Sequence, residues 1–285
     1  MEKVKQNALL YTLLFVFLFT ISVWYFVLAN EREQVLTVAF LDVGQGDAIF
    51  IEAPNGNQIL IDGGKNRSVL RALSHVMPFY DRSIDVVIAT HPDEDHIGGL
   101  PDVLKRFKVD LYLDPGVTHD TNAYKETLRL VQTRNIEYVL ARRGMQIDLG
   151  GGVSLEILFP DRDVSGLESN AASVITRLVY GETEFLFTGD SPKAIEKYLT
   201  SIDGKKLQSD VLKVGHHGSK TSSADVFLAA VLPSFAVISA GADNRYGHPH
   251  EEVITALKDL DAKIVSTSES GTIIFISDGM TLQKK

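Results

Sequence analysis

Four side chains able to ligate a metal fall within six residues, at His91, Asp93, Asp95 and His96. Imidazole and carboxylate together suit Zn²⁺, Mn²⁺ or Fe²⁺. Alternate residues of an extended turn project to one side, and the adjacent Asp95-His96 pair can turn to a second ion. A solvated acidic loop with Asp95 capping a helix would also fit this run. Asp190, after Thr188-Gly189, presents a carboxylate able to bridge two cations, or simply to cap the helix that follows Pro192. His216-His217 offers one ligand and one substrate contact, or a structural pair. Asp62-Gly63-Gly64 alone would pass as a turn.

These groups need elements to position them. Apolar runs precede each cluster, that at Val86–Ala89 mostly β-branched, and read as strands whose ends carry binding loops. Val35–Val43, Asp47–Glu52 and Gln58–Ile61 form a meander ending at Asp62. Ser68–Val76 has helical spacing, and Val86–Ala89 leads into the Thr90–His96 run, with a helix expected through Val103. Leu111–Leu113, Ile136–Leu140, Val153–Phe159, Ser173–Val179, Glu184–Phe187, Val211–Val214, Phe235–Ser239, Lys263–Val265 and Thr272–Ile276 read as further strands. Helices are expected at Asn122–Thr133, Pro192–Leu199, Ser223–Val231 and His250–Leu260. Strands in meander, then strands alternating with helices, imply an α/β fold of two sheets with helices on the outer faces. No Pro/Gly/Ser-rich linker divides residues 35–285, and 31–285 is read as one domain.

The 285 residues carry a formal net charge of −9, and Glu2, Lys3 and Lys5 leave −10 on the remainder after residue 30. Such a domain does not attract nucleic acid by its overall field, so a phosphate substrate needs local cations or bound metal. The absence of cysteine excludes disulfides, thiolate metal sites and thiol nucleophiles.

Ala8–Ala29 holds no charged residue and as a helix would be about 33 Å long, enough to cross a bilayer core. Trp24 and Tyr25 suit the interface, and Lys3 and Lys5 place the N-terminus in the cytoplasm by the positive-inside bias. Residues 1–30 are therefore read as a single-pass anchor in the cell membrane, with the main domain extracytoplasmic. A cleaved signal peptide, with Val27-Leu28-Ala29 at the cleavage site, is the alternative.

The order Asp62, His91-x-Asp93-x-Asp95-His96, Asp190, His216 resembles the metallo-β-lactamase superfamily. Within it, Phe40–Ala48, Leu60–Gly64, Thr90–Leu100, Phe187–Asp190, Val214–Ser223 and Asn244–His250 resemble the extracytoplasmic domain of the ComEC family of DNA-uptake proteins. The resemblance spans about residues 35–278 and leaves out the N-terminal helix. It implies an αββα sandwich with the site at one edge of the paired sheets, holding one or two divalent ions. It also implies that His91 binds the first metal, that Asp95, His96 and His216 bind the second, that Asp190 bridges them, and that Asp62 orients ligands from behind. Two departures stand out. Asp93 replaces a histidine, and Asn170-Ala171-Ala172-Ser173 stands where a third-motif histidine is expected. The first site is thereby richer in oxygen, which shifts the expected ion toward Mn²⁺ or weakens that site.

The chemistry expected is hydrolysis of a phosphodiester by a cation-activated water. Backbone amides and hydroxyls of Gly218–Ser223, including Ser219, would cradle phosphate, or Ser222 or Ser223 would cap the following helix. Lys220 and Arg245 would supply cations. His248 and His250 would protonate a leaving group or hold phosphate, or be ordinary loop histidines. Asp47 is placed near the metals, or as a turn carboxylate, and His217 and Asn170 as substrate-side groups. Three functions follow: a membrane-anchored nuclease or phosphodiesterase acting on nucleic acid, another hydrolase such as a lactonase or lactamase, or a non-catalytic module for DNA uptake.

Overall fold

The computed structural model describes residues 2–29 and 35–285. The chain divides into two compact units, residues 1–34 and 35–285. The expected boundary at residues 30 and 31 lies outside the described residues. In the first unit α1 (Glu2–Ala29) is one continuous helix, and Asn7–Tyr25 within it is long and apolar enough to span a bilayer. Leu9, Leu10, Leu18 and Phe19 lie on different sides of it and are all exposed. A helix apolar all round suits lipid rather than water.

The second unit holds, among the described residues, an eight-stranded and a seven-stranded sheet. The first contains β1 (Leu36–Phe40), β2 (Ile49–Glu52), β3 (Gln58–Ile61), β4 (Ser83–Ile88), β5 (Lys108–Asp114) and β6 (Glu137–Leu140), with β14 (Ile273–Ser277) and β15 (Leu282–Lys284) added beside β1. The second runs β13 (Lys263–Ser266), β12 (Phe235–Ile238), β11 (Val211–Lys213), β10 (Thr183–Phe187), β9 (Ile175–Tyr180), β8 (Val153–Phe159) and β7 (Gln146–Gly150). Phe40, Ile61, Phe187, Val237 and Phe275 pack between the sheets. The outer face of the first sheet is covered by α2 (Ser68–Val76), α3 (Glu94–Ile97), α4 (Leu100–Arg106) and α5 (Asn122–Thr133). The second is covered by α6 (Lys193–Asp203), α7 (Asp225–Val231) and α8 (Glu251–Lys258), and a short α9 (Thr267–Ser270) follows β13. This is the expected αββα sandwich, in which each helix buries one apolar stripe, such as Phe227, Leu228 and Val231 of α7.

Parallel pairing decides where the chemistry lies. β3 pairs with β4 and β4 with β5, while β10, β11 and β12 pair in series, all in parallel. Their carboxyl ends open onto loops carrying Asp62, Thr90–His96, Asp190, His216-His217 and Ser239–His250. A rigid sheet thus brings together residues far apart in sequence.

The short α9 was not expected, and three further differences have a physical reason. The helix expected after the Thr90–His96 run through Val103 is instead two, α3 and α4, divided at Gly98-Gly99. A Cβ at Gly98 would lie 2.1 Å from the Lys65 carbonyl oxygen, so a close backbone approach fixes the break. β7 was not anticipated, because Gln146-Ile147-Asp148 alternates only briefly before a glycine run. β15 follows the strand expected to close the chain and is short and largely exposed.

Candidate metal centre

Asp190 lies at the middle of the cluster. Its Oδ1 is 3.3 Å from His96 Nε2, and its Oδ2 is 4.0, 3.6 and 3.5 Å from Nε2 of His91, His216 and His217. The Asp190 amide donates to Ser173 Oγ at 3.2 Å, which fixes the turn after β10. Gly189 is required there: its φ is +52°, and a Cβ would press on Thr90 at 3.1 Å.

Two imidazoles are locked from behind by one carboxylate. His96 Nδ1 contacts Asp62 Oδ2 at 2.8 Å. Thr90 Oγ1 donates to the same oxygen at 2.7 Å and is 2.9 Å from His91 Nδ1. With an ionised acceptor at the end of the chain, each Nδ1 carries hydrogen and each Nε2 is left for the cluster. Asp62 adopts φ +61° with its carboxylate also accepting from the Thr90 amide at 2.8 Å. The left-handed conformation is one that aspartate tolerates better than most residues.

Asp95 Oδ2 is 3.4 Å from His217 Nε2. The Asp95 carbonyl accepts from the Asp47 amide at 3.2 Å, and a Cβ at Gly46 would fall 1.9 Å from that carbonyl oxygen. Gly46 therefore has to be glycine for the β1–β2 loop to close over Asp95. Asp47 is fully buried and paired with the equally buried Lys213 ammonium. Its Oδ1 is 3.3 Å from His217 Nδ1, which also donates to the Ser239 carbonyl at 2.8 Å.

Electrostatics follow from this packing. Burial would raise Asp190 and Asp95, but the cations of His217 and His96 outweigh it and hold both below the usual carboxylate range. Asp47 is likewise brought down to about 2, burial being outweighed by Lys213 and His217. Burial would lower His96, but Asp190 and Asp62 raise it well above the ordinary histidine value. His217 is raised to about 9 against burial by Asp190 and Asp47. His91 is pushed down to about 3 by burial and by neighbouring His96. Protons on His96 and His217 thus balance the buried carboxylates, and a divalent cation is the alternative counter-charge.

The donor set fits such a cation. His91 Nε2, His96 Nε2, His217 Nε2 and Asp190 Oδ1 are buried and make no hydrogen bond. Buried polar atoms are normally satisfied, and four orphans converging on one spot mark a missing partner. His91, His96 and Asp190 place donor atoms within 4.8 Å of one another, and so do Asp95, His96 and His217. Nitrogen and oxygen donors without sulfur match Zn²⁺, Mn²⁺ or Fe²⁺.

A sequence profile of the metallo-beta-lactamase superfamily matches residues 41–242. The chain belongs to this superfamily. It is 30% identical to ComE operon protein 3 of Bacillus subtilis, over 86% of this chain and 33% of that protein. It is 32% identical to competence protein ComA of Neisseria gonorrhoeae, over 86% of this chain and 32% of that protein. The chain spans about a third of the length of these curated relatives. Among solved structures, Igni18, a metallo hydrolase of the archaeon Ignicoccus hospitalis, matches with TM-score 0.51 and 17% identity, covering 84% of this chain and 98% of its own. That likeness shows the shared fold.

Within this metallo-β-lactamase fold, several expected site residues sit differently. The two histidines of the pair differ in burial. His217 is buried with Nε2 in the cluster, whereas His216 stays about a quarter exposed on the rim, its Nδ1 3.0 Å from Thr221 Oγ1. Both adopt left-handed backbone, and the Ser239 carbonyl captures only His217. Asp93 Oδ2 is 3.7 Å from His91 Nε2, and its Oδ1 accepts from Ser169 Oγ at 2.6 Å. Asn170 opens a short 3₁₀ turn after Ser169, and its Oδ1 is buried without a hydrogen bond.

The expected phosphate cradle at Gly218–Ser223 is not free. The Ser219 amide donates to His216 O, Lys220 to His250 Nδ1, Thr221 to Ser219 Oγ and Ser222 to Ser219 O. Ser223 and Ala224 amides donate to Glu196 at 2.8 and 2.7 Å. Neither Ser222 nor Ser223 caps α7. Ala224 occupies the cap position, and the Glu196 carboxylate from α6 holds its amide and that of Ser223. Lys220 and Thr221 are the exposed residues of this run. His250 begins α8, and its ring lies 5.0 Å from that of His248. Burial and neighbouring His216 lower His248 to about 4, so it is uncharged at neutral pH.

Lys213, Thr90, Ser173 and Glu196 were missed in the sequence. A lysine inside Val211-Leu212-Lys213-Val214 was the one signal available, since a charge in a buried strand requires a partner. Thr90, Ser173 and Glu196 act through contacts with distant residues and leave no local pattern.

Proposed function

We propose that this chain is a membrane-anchored, divalent-metal-dependent phosphodiesterase acting on nucleic acid outside the cytoplasm. The observation that carries the proposal is the convergence of three orphaned buried imidazole nitrogens on the Asp190 carboxylate. The similarity to a competence protein supports nucleic acid as the substrate class. The apolar stretch Asn7–Tyr25 of α1 and the basic Lys3 and Lys5 before that stretch support the anchor and its orientation.

His91, His96, Asp95, Asp190 and His217 would hold one or two ions, Mn²⁺ or Zn²⁺. When bound, such ions supply a water of lowered proton affinity and positive charge against phosphate oxygens. Asp62 fixes the imidazole tautomers through His96 directly and through Thr90 to His91. His248 is uncharged, and its ring lies 5.5 Å from that of His216. It therefore holds a phosphoryl oxygen through a neutral N–H rather than standing as a charged acid. His216, Lys220 and Arg245 offer rim contacts to the flanking phosphates. A domain of net charge −10 depends on such local groups.

The test is turnover by the full chain in detergent micelles, with Mn²⁺ or Zn²⁺, on single-stranded DNA, a chromogenic phosphodiester and a cephalosporin. The proposal expects cleavage of the two phosphodiesters and loss of that activity in Asp190→Asn. Activity on the cephalosporin alone would overturn it, and no turnover with either metal would point to a binding module.

A further inference from the structure

One cleft beside the metal centre contains a group the chemistry above does not use. It has a volume of about 200 Å³ and is lined by Gln45, Lys65, Asp95, Arg245 and Tyr246 among others. Asp95 ties it to the cluster, since its Oδ2 lies 3.4 Å from His217 Nε2. Tyr246 is 65% exposed although it stands on a fixed loop. Asn244 clamps that loop from inside: its Nδ2 donates to the carbonyls of Gly241 and His248 at 2.8 and 2.7 Å, and its Oδ1 accepts from the His248 amide at 2.9 Å. The Gly241 amide donates to Gln45 Oε1 at 3.2 Å, which joins the loop to the β1–β2 turn. The Tyr246 ring lies 5.7 Å from the His248 ring at an interplanar angle of 24°, and His248 in turn neighbours His216 and His217. One face of the phenol ring is therefore backed by an imidazole beside the metal ligands.

An aromatic ring held open to solvent on a braced loop, flanked by two cations, has the features of a base-stacking platform. Every base offers a π-face, so stacking tolerates sequence, while lysine and arginine follow the backbone. We propose that Tyr246, with Lys65 and Arg245, forms a nucleotide subsite that stacks one base of a single strand next to the scissile phosphate. This rests on the phosphodiesterase reading and extends it to a preference for strands that carry bases. Glu94 and Asp243 also line the cleft and oppose phosphate there, so the base contact carries much of the affinity.

The experiment compares wild type, Tyr246→Ala and Tyr246→Phe, as full chains in micelles with EDTA. Fluorescence anisotropy reads their binding to labelled dodecathymidylate and to an abasic strand of equal length. Tyr246→Ala is expected to weaken dodecathymidylate binding about 5- to 150-fold. Tyr246→Phe should bind as wild type does, and the abasic strand should bind all three alike. Equal binding of dodecathymidylate by wild type and Tyr246→Ala, no binding by wild type, or equal losses on both strands would overturn the subsite. Hydrolysis of dodecathymidylate by wild type with Mn²⁺ is measured separately. Its absence would overturn the phosphodiesterase reading, while the anisotropy result decides the subsite independently.

Discussion

His96 Nδ1 lies 2.8 Å from Asp62 Oδ2, both side chains are fully buried, and the opposite ring nitrogen of His96 faces Asp190 at 3.3 Å. One carboxylate outside the ligand cluster thus sets which nitrogen of the ring is available. Asn at position 62 would accept from the Thr90 amide and tolerate φ +61°, but its amide group would face His96 Nδ1 as a donor. The ring would have to turn over its tautomer and carry hydrogen toward the cluster. Asp62→Asn is expected to weaken metal binding about 10- to 100-fold with little change in melting temperature. Competition with a metallochromic chelator measures this, and unchanged affinity would remove the orienting role.

The histidine pair gives a second prediction. His217→Ala should reduce the number of metal ions retained after desalting, because its Nε2 is one of the buried donor atoms. His216→Ala should retain the wild-type number and lose affinity for substrate instead. Elemental analysis of the two variants decides it, and the reverse pattern would return the ligand role to His216.

Lys213 and Asp47 form a buried ion pair beneath the site. Removing one partner leaves an uncompensated buried charge, so Lys213→Met should cost about 3–5 kcal/mol. The double variant Lys213→Met with Asp47→Asn should recover a large part of that loss. Urea denaturation of the four proteins forms the cycle. Equal losses in the single and double variants would show that the pair is not coupled.

The sandwich was legible in the sequence because its strands read as short apolar runs, as Val86–Ala89 does, or as alternating ones, as Val153–Phe159 does to the residue. Asp62, His91, Asp95, His96 and Asp190 were legible as chemistry because each follows such a run. Contacts closed through the fold were not. Nothing near Glu196 announces that it holds the amides of Ser223 and Ala224, and nothing in His216-His217 tells which ring turns inward. That choice is made by the Ser239 carbonyl, on a loop after a different strand.

Glu196 also predicts a pH effect. Burial pushes it up to about 7, although the Ala224 and Ser223 amides favour its charged form. The native state therefore keeps a proton that the unfolded chain releases near the ordinary glutamate value. With fewer protons bound in the unfolded state, stability falls as pH rises, and this contribution is lost as pH passes through about 7. Glu196→Gln should remove that slope. Urea denaturation of wild type and variant from pH 5 to 8 checks it. A wild-type advantage that grows with pH would contradict the sign.

The central claim is that distant loops build a cation site around Asp190. The direct measurement is anomalous diffraction from crystals of the chain grown with Mn²⁺. The account predicts one or two anomalous peaks bounded by His91, His96, Asp190 and His217, with Asp62 behind His96 and outside ligand distance. A crystal saturated with Mn²⁺ that shows no peak among those side chains would contradict it.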